Sequence, residues 1–207
     1  MEDYSPSTMH YEALLAVCKK RSSVRTFSSR AVPHAVVQRV IDLAATSPFA
    51  SGRKNWEVMV VSDQPTRDRM AALVKERVEV LQARVREDFR RAFVEYAESF
   101  SSFASAPVIF VPTFRTSHTL PPMEEDPCDP VDLHQWERDN VVKSIACVAM
   151  LVLLAAEAQG LGACCMTGPL LAEPALAEVI GARKGRSLGA LIPMGYRAIE
   201  GDPEYGH

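Results

Sequence analysis

The sequence predicts an α+β fold in which a small sheet is covered by helices. Helix-period segments alternate with short β-rich runs in the order helix, helix, strand, helix, strand, helix, strand, helix, strand. The strand-like runs are few and the helical ones long, the longest being 65–103 and 132–159. Apolar residues make up 47% and charged residues 24% of 207, which suits one core-bearing domain.

The first helix is expected over 9–20, with apolar residues at helical spacing and a close on Lys19 and Lys20. RSSVRTF, 21–27, breaks that pattern. Pro33 opens a second helix whose apolar stripe is Val36, Val37, Val40, Ile41, Ala44 and Ala45. A loop, TSPFASGRKN, leads to the strand WEVMVVS. Residues 65–103 read as a helical excursion, with Phe89, Phe93, Tyr96, Phe100 and Phe103 on one face. APVIFVPTF is the second strand. Four prolines and four acids fall within 116–131, so the stretch 113–132 is expected to be a loop or substrate lid. The helix 132–159 is apolar nearly all round from Ile145 onward, as in a buried helix. GLGACCMTGPLL is turn-rich with a strand-like middle, 174–181 is a short helix stopped by Gly181, and SLGALIPMGY is the last strand.

Composition excludes several functions. A net charge of −3 gives no nucleic-acid footprint. The five cysteines (Cys18, Cys128, Cys147, Cys164, Cys165) form no C-x-x-C, and the five histidines are scattered, so no zinc spacing exists. MEDYSPSTMH is acidic and polar, unlike a signal peptide, and a reduced cytoplasm is the expected compartment. The uncharged, largely apolar run 144–156 falls short of the roughly 18 apolar residues of a membrane span.

Familiar catalytic motifs fail. Gly160 and Gly162 are followed by Cys165 where a dinucleotide fingerprint needs glycine, GARKGRS lacks phosphate-loop spacing, and no G-x-S-x-G exists. Cys164 and Cys165 read as small core residues, since adjacent cysteines make a poor dithiol switch. Four segments remain. RSSVRTF reads as a solvated turn, a phosphorylation site or an anion grip, because arginine forks and serine hydroxyls suit phosphate oxygens. SPFASGRKNWEVMVV is either an ordinary connection or a loop laid along a flat ligand. GLGACCMTGPLL would let backbone approach a ligand at Thr167 and Gly168. IPMGYR ends on Arg197. Tyr96, Phe114 and Trp136 are core or interface aromatics, with substrate stacking as the alternative.

Taken together and in this order, the four segments resemble the nitroreductase family of FMN-dependent oxidoreductases. The matching residues are Arg21-Ser22-Ser23-Val24-Arg25-Thr26-Phe27, Val32-Pro33, Ser47 to Trp56, Ala106-Pro107, Ala155-Ala156 to Gly160-Leu161-Gly162, and Ile192-Pro193-Met194-Gly195-Tyr196. The resemblance implies a small mixed, mostly antiparallel sheet surrounded by helices, in an interlocked homodimer with FMN at the interface. It implies that Arg21, Ser22, Ser23 and Arg25 grip the flavin phosphate and ribityl chain. It assigns ring contacts to Phe49, Ala50, Ser51, Gly52 and Lys54, and backbone N–H groups to Met166, Thr167 and Gly168. The implied reaction is hydride transfer from NADH or NADPH to a small electron-poor acceptor such as a nitroaromatic, quinone or enone. The alternatives are a dehalogenase or dehydrogenase of the same fold, or a non-catalytic flavin-binding dimer.

The chain departs from the family pattern in four places, one being Met150-Leu151 where a glutamine and an asparagine are common on the apolar helix. Gly52 and Lys54 replace an asparagine and a glutamine, Ser22 stands where a second basic residue is common, and the tail EGDPEYGH lacks the usual basic pair. Arg197 is the expected substitute for that pair. No catalytic side chain and no metal site are expected, since a flavin carries the chemistry.

Overall fold

The computed structural model describes residues 8–49, 55–116 and 132–198. Six α-helices and five strands lie within them: α1 (Thr8–Lys20), α2 (His34–Ala44), β1 (Trp56–Val61), α3 (Gln64–Gln82), α4 (Glu87–Ala97), β2 (Val108–Phe114), α5 (Leu133–Ala158), β3 (Gly162–Ala163), α6 (Glu173–Val179), β4 (Ser187–Leu188) and β5 (Ile192–Gly195). Two 3₁₀ segments, Glu98–Ser105 and Gly168–Ala172, join them.

The sheet order is β1-β2-β5-β3, with β4 also pairing β2. Every ladder is antiparallel, and the parallel component is the single bridge Ser23↔Ala163. The fold is therefore the expected α+β arrangement with a small, mostly antiparallel sheet. β2 is the central strand and is buried throughout. It nevertheless contains Pro112, which has no N–H to donate. The segment SLGALIPMGY, expected as one strand, divides beside that proline. β5 pairs with β2 up to Phe110↔Ile192, and β4 resumes at Thr113↔Leu188. In the gap the Gly189 N–H donates to the Pro112 carbonyl at 2.7 Å. A side chain at Gly189 would strike Ile145 Cγ2 at 2.3 Å, so α5 lies directly on this gap.

Two main core clusters flank the sheet. One joins α2 and α5 to the sheet through Val40, Val148, Val152, Phe110 and Ile192. The other joins α3 and the Glu98–Ser105 segment to it through Met70, Val74, Phe103, Ile109 and Leu191. α5 has the length and apolarity of a membrane span, yet its buried residues, among them Val148, Val152 and Ala156, pack within the first cluster.

The expected excursion 65–103 is broken into α3, α4 and a 3₁₀ turn. At Glu98 the period tightens from 3.6 toward 3.0 residues, which splits the aromatic stripe. Phe100 and Phe103 are buried, whereas Phe89 and Tyr96 are exposed. The loop expected over 113–132 starts later, because Thr113 and Phe114 are the last, buried residues of β2.

Candidate functional site

RSSVRTF runs beside the sheet. The Val24 N–H donates to the Ala163 carbonyl at 3.1 Å, Phe27 bridges to Arg197, and the Ser28 N–H donates to the Tyr196 carbonyl at 3.0 Å. Two paired glycines, Gly162↔Gly195, make room for it. A Cβ on Gly162 would lie 2.8 Å from Val24 Cβ, and one on Gly195 would lie 3.2 Å from Phe27 Cδ1. Val24 and Phe27 thus anchor the segment inward, while Ser22, Ser23 and Arg25 face solvent and Arg21 is half-buried.

Arg197 is brought to the same corner. Its Nη1 donates to Ser22 Oγ at 3.2 Å, and its Nη2 donates to Glu157 Oε2. Lys20 Nζ reaches Glu157 Oε1 at 3.6 Å. Glu157 closes α5 and is buried. Sequence reading passed over it, although it is the first charge after the uncharged run 144–156. A carboxylate at a helix C-terminus opposes the helix dipole, and the two cations compensate it. Lys20 and Arg197 thus share one carboxylate here, Arg30 stacks on the neighbouring Tyr196 at 4.0 Å, and Arg21 and Arg25 belong to the segment docked alongside.

Ser23 pairs with Ala163, and from there the chain runs through Cys164 and Cys165 into the wall of a trough of about 470 Å³. That volume lies in the usual range for small-ligand and cofactor sites. Phe114, Ile145, Ala149, Leu170 and Leu188 give it an apolar lining, and Arg138, Glu173, Cys165 and Thr167 add polar groups. Met166 itself is buried, and its N–H donates to the Leu191 carbonyl at 2.8 Å. Its N–H is thus unavailable to a ligand, contrary to the expectation for Met166. The N–H groups of Thr167 and Gly168, at the start of a 3₁₀ turn, have no acceptor among the described residues. Gly168 is small for a packing reason: a Cβ there would meet Phe100 Cε1 at 2.4 Å.

Cys165 opens onto the trough, but surrounding protein pushes its thiol pKa up, and the Cys164 thiol adds to this. A raised pKa keeps the thiol neutral at physiological pH, which disfavours a thiolate nucleophile. Phe49 packs with Trp56 against Phe114 and Ile145, placing it behind the trough's wall. Ala50, Ser51, Gly52 and Lys54 lie outside the described residues. No cluster of metal-ligating side chains occurs among the described residues.

The arrangement suits a flat apolar ring lodged in the trough and an anionic tail at the basic corner. The sequence matches the model of the nitroreductase family over residues 18–196. The chain belongs to the nitroreductase family. Among curated proteins this nitroreductase-family chain is similar to iodotyrosine deiodinase 1 of Mus musculus, at 26% identity over 194 residues, covering 91% of the chain and 63% of the deiodinase. The chain thus spans less than two thirds of that relative's length. Among solved structures, a BluB-like flavoprotein from Clostridium difficile 630 superposes with a TM-score of 0.76 at 19% identity, covering 89% of this chain and 90% of that one. An iodotyrosine deiodinase bound to FMN and 3-iodo-L-tyrosine gives 0.69 at 18% identity, covering 94% of each. These likenesses establish a shared fold.

Proposed function

We propose that the protein is an FMN-dependent oxidoreductase that passes hydride equivalents from NADH or NADPH to a small electron-poor acceptor. One observation carries this reading. The Ser23–Ala163 bridge joins the segment of the basic corner to the strand leading into the trough wall, where the Thr167 and Gly168 N–H groups have no acceptor among the described residues, and this supports one ligand spanning both. Arg21, Ser22, Ser23, Arg25 and Arg197 would hold the phosphate and ribityl hydroxyls. Thr167 and Gly168 would donate to the ring's polar edge, and the apolar wall would exclude water from its face. FMN bound there supplies a centre that accepts and releases two electrons. In the balance, NAD(P)H is oxidised to NAD(P)⁺ and the acceptor gains two electrons and two protons, one delivered with the hydride and one from solvent. Arg25 is placed to favour negative charge near it, since a nearby cation stabilises an anion; Lys54 belongs to the same proposal.

The protein acts as a homodimer in this reading. α1 has 13 residues and buries none of them, with Met9, Tyr11 and Leu14 exposed. Isolated helices of that length are marginal in water, and Trp136 and Met150 are exposed on α5 as well. A second copy covering these faces would stabilise both helices. The four described cysteines are free thiols, in keeping with a reducing compartment such as the cytoplasm.

The test is anaerobic mixing of the purified, FMN-loaded protein with NADH and with NADPH. Bleaching of the flavin absorbance followed by reoxidation with a nitroaromatic or quinone is expected. A protein that takes up no FMN sinks the reading. A second reading, reductive dehalogenation, is favoured by the similarity to iodotyrosine deiodinases. Iodide release from 3-iodo-L-tyrosine by the reduced protein distinguishes it.

A further inference from the structure

We propose that Arg138 selects the acceptor, and that the acceptor is an apolar, flat molecule carrying a carboxylate or similar anionic group. This rests on the oxidoreductase reading above and names the substrate class of the same site.

Arg138, Val142, Ala146 and Ala149 line the trough from α5 and are spaced to form one stripe of the helix. Eleven residues of helix separate its ends, about 16 Å at 1.5 Å per residue. Ala149 shares a core cluster with Ala163 and Ala190, so its end adjoins the Cys165–Thr167 wall. Arg138 stands at the opposite end, one turn from Val141, which packs on Phe114. The basic corner lies beyond the Ala149 end, through Ala163, so Arg138 is remote from the group that binds there.

Two charged side chains line the trough. Glu173 is oriented by the Leu188 N–H, which donates to its Oε1 at 2.8 Å, and it supplies the trough's negative charge. Arg138 makes no ion pair or hydrogen bond with any described residue. On its own helix the neighbouring Asp139 accepts from Gln135 Nε2 at 2.7 Å. Arg138 is exposed, so its guanidinium is hydrated where no described residue accepts from it, and a carboxylate entering the trough can replace that water bidentately. The apolar remainder of the lining then suits an apolar body rather than a sugar or a peptide.

The test uses the FMN-loaded protein, with 4-nitrobenzoate and its neutral analogue 4-nitrobenzamide as paired acceptors. The wild type should prefer the anion. In Arg138→Gln the preference, as the ratio of the two kcat/KM values, should fall at least about tenfold through the KM for 4-nitrobenzoate. Arg138→Lys should restore part of it, and Lys143→Gln, the same charge change on the same helix but outside the trough, should not alter it. Titration calorimetry of benzoate and benzamide onto the oxidised protein gives the same comparison without turnover. It therefore decides the role of Arg138 even if neither nicotinamide donor supports reduction, a result that would count against the oxidoreductase reading alone. Equal losses for both probes, a wild type indifferent to charge, or loss of FMN from Arg138→Gln would each overturn the proposal.

Discussion

Truncating Glu157 to alanine removes the carboxylate that ties Lys20 of α1 to Arg197, and through Arg197 to Ser22 of RSSVRTF. The Glu157 side chain is 3% exposed, that of Arg197 33% and that of Lys20 72%. Breaking a fully buried ion pair costs about 3–5 kcal/mol. Here Lys20 already lies mostly in water and Arg197 recovers part of its hydration, so the expected loss is about 2 kcal/mol. Glu157→Gln keeps an acceptor for Arg197 and should lose about 1 kcal/mol. Urea unfolding at fixed protein concentration reads both, and a cycle with Arg197→Met should show coupling of at least about 1 kcal/mol. A destabilisation by Glu157→Ala below about 0.5 kcal/mol, within the range of ordinary surface changes, would refute the reasoning.

The same substitution separates two opposed effects on the cofactor. Removing a carboxylate relieves its repulsion of a phosphate, worth about 0.6 kcal/mol per unit charge at about 7 Å in water. It also frees Arg197 from its place beside Ser22, forfeiting a charge-assisted hydrogen bond of about 1.5–3 kcal/mol. The second effect is larger. FMN affinity should therefore fall about tenfold in Glu157→Ala, while riboflavin, which lacks the phosphate, should bind as before. A tighter grip on FMN would reverse the ordering of these effects.

Replacing Arg21 and Arg25 together by alanine should weaken FMN binding at least about 100-fold, since two charge-assisted contacts are lost; retained stoichiometric flavin after dialysis would exclude them from the phosphate site. Gly162→Ala drives a methyl to within 2.8 Å of Val24, and should cost about 1–3 kcal/mol in urea unfolding and loosen FMN along with RSSVRTF. Asp63 caps α3, accepting the Thr66 N–H at 2.9 Å, and hydrogen bonding to Thr66 holds its pKa below the ordinary carboxylate value. Because its folded pKa is the lower one, its contribution is present above the unfolded pKa and lost as pH falls through the folded one. Thermal melts of Asp63→Asn should accordingly show a flatter decline in acid than the wild type.

Local signals placed much of the fold. The closing lysines of α1 and the proline before α2 marked those helices within a residue or two of their observed bounds, Thr8–Lys20 and His34–Ala44. What failed was non-local. No glycine or proline breaks the chain between Gln82 and Glu87. The turn-back there follows from packing, because Phe93, Phe100 and Phe103 share one core with Met70 and Val74 of α3. The division of the last strand is likewise set by Pro112, on a different strand. At the candidate site, RSSVRTF stands out as a break in the helical pattern, but its arginines and serines are ambiguous alone, and only the order of the four segments points to a phosphate grip. Glu157 and Arg138 were not legible, since only the fold shows that one is buried between two cations and the other lines a trough.

The glycines of the recognisable motifs serve packing more than ligand approach. Gly162 leaves room for Val24, Gly195 for Pro107 and then Phe27, and Gly168 for Phe100. Those motifs therefore encode how RSSVRTF is docked against β3 and β5, which is why they identify the fold. They carry little about the acceptor. Arg138 on α5, the position proposed to discriminate among acceptors, is not one of the residues these glycines make room for. A chain can thus keep the docking residues of the nitroreductase family while its substrate differs from any relative's. Exchanging Arg138 should alter acceptor choice and leave flavin retention intact, whereas Gly162→Ala should do the opposite. Equal effects of both substitutions on both properties would show that the two functions are not separable in this fold.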